Sequence, residues 1–143
     1  GGVGSLYNLW APGQAATLQE DNAALLSPAL YDEFIYPYDA GIASAFEVCI
    51  FHLHPARYIP YRPLLDAPVD VVELHIDRGG RTARELLPIY REILAARPLL
   101  VWGDISPDDL AVLLGEIGPA GVAIQPVVAS PEAAWALWRH SVS

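Results

Sequence analysis

The chain has 143 residues, a net charge of −9 and no lysine, so all eight basic residues are arginine. That balance argues against nucleic acid and anionic membranes, which are bound through clustered basic residues, and the missing lysine excludes Schiff-base chemistry and a phosphate-loop lysine. Cys49 is the single cysteine, which leaves no intrachain disulfide and suits a reduced, buried side chain in an apolar run. No stretch approaches the roughly 20 apolar residues that span a bilayer. These features predict a single cytoplasmic domain over 1–143. The chain contains no methionine, so it is expected to be processed, tagged or cut from something longer. A 53% hydrophobic content is rich for a free domain of this size, so part of the surface is expected to face a partner.

In chain order, residues 5–10 form a candidate strand interrupted by Asn8. Ser27-Pro28 then opens a helix: a serine oxygen caps the first free amides, and proline is tolerated where its missing N–H had no partner. This helix is predicted over 28–45, with Leu30, Phe34, Ile35 and Ile42 on one side and a kink at Pro37. An apolar strand follows over 48–53. The segment 56–68, ARYIPYRPLLDAP, reads as a loop with at most a short helix around Leu64. Next come a strand over 69–76 and a helix over 82–96 that buries Leu86, Leu87, Ile89, Ile93 and Leu94. A strand over 99–102, a helix over 107–117 opened by Ser106-Pro107, and a strand over 122–124 continue the alternation. Ser130-Pro131 opens a last helix with Trp135 and Trp138. Near-continuous apolar strands alternating with helices predict an α/β fold with a parallel sheet of four to five strands.

In such a fold the ligand site lies beyond the carboxyl ends of the strands. Strand alternation puts Ile50, His52 and His54 on one face, and Val71, Glu73, His75 and Asp77 on one face of the next strand. The later strands lead into Asp104 and Gln125. If these faces point the same way, His52, His54, Glu73, His75, Asp77, Asp104 and Gln125 meet at one rim. Imidazoles and carboxylates are the ligands that zinc or another divalent metal takes, which makes His52, His54, Glu73 and His75 the candidate metal ligands. The alternative is that polar residues gather wherever strands surface, each histidine being hydrogen-bonded to a neighbouring carboxylate. Arg57 and Arg78 follow the ends of these strands, where a guanidinium could hold a ligand's carboxylate, or simply pair with local acids.

The segments LQEDNAALLSPALYDEFIYPY, FHLH, VDVVELHID and VWGDISP, in this order, resemble the C-terminal half of the uroporphyrinogen decarboxylase superfamily, which includes corrinoid-dependent methyltransferases. The resemblance runs from about residue 18 to the end. It implies the second half of a (β/α)8 TIM-type barrel, with the N-terminal half absent from this chain. In the methyltransferase branch a His-x-Cys at a strand end binds zinc and activates a thiol; the matching positions here read His52-Leu53-His54, and the later cysteine has no counterpart in Gln125 to Ala129. In the decarboxylase branch, Asp21 falls where a serine contacts the substrate's carboxylates, and the histidine after the last strand is missing from AIQPVVA. A small-molecule site is thus expected at the rim, with Arg57, Arg78 and Gln125 as ligand contacts from their places after the strands, and Asp21 from the position the resemblance gives it. Asp77 and Asp104 would orient groups or transfer protons. The resemblance does not extend to authentic uroporphyrinogen decarboxylation. The competing expectation is a non-catalytic module that buries its open sheet edges in a homodimer.

Overall fold

The computed structural model describes residues 2–4 and 7–141. Near its start, β1 (Val3–Gly4) and β2 (Trp10–Ala11) form a short antiparallel pair. Between them Asn8 takes a φ of 55°, a left-handed conformation that asparagine tolerates. Residues 7–9 therefore form a bend, correcting the single strand expected over 5–10; Ser5 and Leu6 lie outside the described residues.

β3 (Ala15–Gln19) leads through a 3-10 turn, Asp21–Leu25, into α1 (Pro28–Phe34) and α2 (Tyr36–Ala43). After these come β4 (Val48–Leu53), α3 (Tyr61–Asp66), β5 (Val71–Leu74) and α4 (Ala83–Leu94). The chain ends with β6 (Leu99–Gly103), α5 (Pro107–Glu116), β7 (Val122–Pro126) and α6 (Pro131–Ser141). Strands β3 to β7 form one five-stranded sheet in sequence order, each parallel to the next. This is the expected α/β arrangement, an open half-barrel with no closure between its edge strands β3 and β7.

The alternation of side chains divides the sheet as predicted. Cys49, Phe51, Leu53, Val72, Leu74 and Val101 enter the main core with Leu64, Leu86, Tyr90, Ile93 and Leu113 from the helices. The opposite face carries Ile50 and Leu100, covered by Tyr7 and flanked by Val71, Trp102 and Ala123. The bend after β1 thus lies over the surface that a complete barrel would turn inward.

Helix starts follow the serine-proline reading closely. Ser27, Ser106 and Ser130 Oγ accept from the amides of Leu30, Asp109 and Ala133 at 3.3, 3.1 and 3.2 Å. Thr82 and Glu85 form a reciprocal capping box on α4. Three expectations need correction. The helix expected over 28–45 breaks at Ile35, because Pro37 has no N–H for the carbonyl four residues back and its ring crowds that carbonyl. The face expected inside is also the wrong one: Leu30, Phe34 and Ile42 are 46%, 56% and 46% exposed, while Tyr31, Asp39 and Ala43 are buried. The strand expected over 69–76 is shorter in the sheet. There the Asp70 carboxylate accepts from the Cys49 amide at 2.7 Å, and Ile76 returns only as an isolated bridge to Gly103. Among the described residues no helix is long and apolar enough to cross a membrane.

Candidate metal centre

Parallel register assembles the site. Gln19, His52 and Glu73 are neighbours across β3, β4 and β5, so residues two positions further along each chain, Asp21, His54 and His75, rise above them at the carboxyl rim. The side chains then interlock. His52 Nδ1 donates to Glu73 Oε2. His54 Nδ1 donates to Asp77 Oδ1 at 2.9 Å and lies 3.1 Å from Oδ2.

A carboxylate only accepts hydrogen bonds, so these contacts place a proton on both Nδ1 atoms; in the neutral ring that tautomer has its Nε2 lone pair free. Those two Nε2 atoms are 3.0 Å apart. Facing lone pairs at that distance repel unless a positive centre lies between them. Asp21 Oδ1 completes a triangle, 3.7 Å from His52 Nε2 and 3.8 Å from His54 Nε2. The circle through three atoms so spaced has a radius of about 2 Å, and zinc bonds to nitrogen and oxygen are about 2.0–2.2 Å. A shared proton would need only the two histidines; the third donor suits an ion.

A second set of possible ligands, His52, Glu73 and His75, shares His52 with the first. Glu73 is fully buried and His52 is 1% exposed. Tyr7 stacks over the His52 ring with centroids 6.2 Å apart and an interplanar angle of 18°. Trp102 meets His75 edge-on at 4.8 Å and Tyr7 at 5.2 Å. This aromatic cover keeps water from the inner histidine while His54 and Asp21 remain accessible at the rim. Burial, followed by the charge of Glu73, raises the Tyr7 phenol well above its ordinary pKa.

The structure gathers Asp21, His52, His54, Glu73, His75 and Asp77 into one contact network. Asp104 stands apart. Arg78 donates to its two carboxylate oxygens at 2.7 and 3.2 Å, and that contact holds the Asp104 carboxyl below its ordinary pKa. Gln125 is half-buried next to Trp102 in the register, and Arg57 is exposed with no ion-pair partner among the described residues. Sequence reasoning missed Tyr7 because it lies in a bend far from His52 in the chain and meets it only when that bend folds over the sheet. It also missed Gly103, whose φ of 126° brings the end of β6 against His75; Gly-Asp directly after an apolar strand was the available signal.

Behind Asp21, Tyr31 Oη donates to Asp39 at 2.7 Å. Burial, with Asp39 next to it, pushes the Glu20 carboxyl from about 4.5 up to about 7, and burial also raises Asp39. The folded chain thus holds the Glu20 proton more tightly than the unfolded chain does. The resulting stability is complete below the unfolded pKa near 4.5 and is lost as pH rises through about 7. In chelator-treated protein, Glu20→Gln is expected to flatten this decline. Urea midpoints at pH 5 and pH 7.5 check it; a wild-type decline retained in the variant contradicts it.

No family model, curated protein or solved structure matches the chain.

Proposed function

We propose that this chain is a uroporphyrinogen decarboxylase/methyltransferase-like half-barrel that holds a divalent ion on Asp21, His52 and His54, with a small carboxylated molecule beside it. The observation that carries the reading is the approach of two Nε2 atoms to 3.0 Å when both Nδ1 atoms already serve carboxylates. Zinc suits two imidazoles and a carboxylate. Bound there, it would supply a Lewis acid with a position left for water or a ligand atom.

The chain's own residues do the rest. Glu73 and Asp77 fix the tautomers and orientation of His52 and His54. Tyr7 and Trp102 exclude water from the inner side. At the rim Arg57 is open to a ligand carboxylate, whereas Arg78 must first give up Asp104. With no thiolate in the donor set, the thiol-activating arrangement implied by the methyltransferase branch is replaced by a harder one suited to oxygen ligands. Elemental analysis after dialysis against micromolar zinc tests the reading. At least one equivalent per chain is expected to remain, and none would overturn it.

A second reading, compatible with the first, follows from the exposed apolar surface. Leu30, Phe34, Tyr38 and Ile42 recur every fourth residue along α1 and α2, and all are exposed. These helices follow edge strand β3, and exposed Trp135 and Trp138 on α6 follow edge strand β7. Unpaired edges and apolar stripes at both ends of the sheet favour pairing with a second copy, β3 of each meeting β7 of the other. Sedimentation at micromolar concentration is expected to give a dimer, converted to monomer by Phe34→Glu with Ile42→Glu. A wild-type monomer would reject this reading.

A further inference from the structure

We propose that a second, inner cation binds Glu73 and His75, with the His52 imidazole bridging it to the outer ion. The inference rests on the outer site and extends it. Two buried atoms motivate it. Glu73 Oε1 and His75 Nδ1 are both shielded from solvent and neither makes a hydrogen bond, yet they lie 3.6 Å apart. That is too long for a hydrogen bond between them. It is the span of two bonds of about 2.1 Å that meet at about 120°, as ligands of one ion do.

An unsatisfied buried acceptor is destabilising, the more so when it is charged. A bridging water would complete the hydrogen bonds but leave the charge. The charges differ in exposure. The Asp21 and Asp77 side chains are 61% and 40% exposed and are screened by solvent, whereas the Glu73 side chain has no exposed surface. Of the Glu73 oxygens only Oε2 meets a donor, the His52 Nδ1–H, so Oε1 is the open ligand atom, and an ion on the outer triangle would lie on the far side of the His52 ring.

His52 is placed to serve both ions. Its Nε2 faces Asp21 and His54, and its Nδ1 faces Glu73. One ligand atom each from His52, Glu73 and His75 lie within 4.8 Å of one another. When the inner ion binds, the Nδ1 proton leaves to solvent and the imidazolate takes one ion on each nitrogen.

The test titrates metal-free protein with Zn²⁺ against a competing chromophoric chelator, and in parallel with Co²⁺ followed by magnetic resonance. Two equivalents per chain are expected, with a magnetically coupled Co²⁺ pair. His75→Asn is expected to bind one equivalent, with the coupling lost and the outer ion kept. His75→Gln provides a second variant should the first fold poorly, and the wild-type coupling requires no variant at all. One equivalent in the wild type, unchanged by His75→Asn, would overturn the inner ion and leave the outer one standing. No binding at all would overturn both.

Discussion

His54→Ala is expected to lower the affinity for the outer ion by more than about 100-fold. The loss of a residue that merely supports a ligand costs roughly 10- to 100-fold in metal affinity, and His54 supplies a donor atom itself. The variant is also the cleanest one available. The His54 side chain is a third exposed, so its removal opens no cavity, and Asp77, 40% exposed, is left in contact with water. His52 is less suitable, because alanine there strands the buried Glu73 carboxylate, a defect worth roughly 3–5 kcal/mol. Asp77→Asn should fall between His54→Ala and the wild type, since the amide still positions the ring but no longer raises its basicity. Chelator competition measures all three. Equal zinc affinity in wild type and His54→Ala would remove the outer site.

Gly103→Ala is expected to destabilise the fold by about 3–5 kcal/mol, at the upper end of single-residue effects. Its φ of 126° is one that side chains rarely adopt. An added Cβ would also lie 2.3 Å from the Ile76 carbonyl oxygen and 2.8 Å from the His75 ring. The backbone cannot yield cheaply, because Ile76 and Gly103 stand at a bridge where the Ile76 amide donates to Trp102 and the Asp104 amide to Ile76. Gly79→Ala is the control: its φ of 70° is unfavourable but the space beside it is open, so a loss of about 1 kcal/mol is expected. Urea denaturation separates the two, and equal losses would mean that the contact between β6 and His75 does not form.

Much of this architecture is legible in the sequence. β4 spans its predicted residues because a near-continuous apolar run, interrupted only by His52, has few other solutions, and helix starts are chemically local. β3 is not legible. AATLQ is weakly apolar and half-buried at an edge, so neither alternation nor bulk marks it as a strand. The wrong face of α1 and α2 has a similar cause. Apolar residues lie on both sides of that segment, and the small Ala40 and Ala43 let the helix approach the sheet, a preference that hydrophobicity alone does not encode.

At the site, the alternation along β4 and β5 correctly placed His52, His54, Glu73 and His75 together. The arrival of Asp21 opposite both histidines depended on β3, the strand that the sequence left unmarked. Individual pairings, such as Asp104 with Arg78 rather than with a histidine, follow from rotamers and loop paths that no spacing rule supplies.

The sequential order of the sheet also bears on how the chain reaches this state. Each strand pairs with the one that follows it, so no pairing requires closing a loop longer than one connecting segment. The entropy of loop closure is thus met in small instalments, and the sheet can grow by adding one βα unit at a time, in the order of synthesis. The two histidine strands, β4 and β5, sit inside this series, so the strands that carry the rim can pair before the last strand is in place.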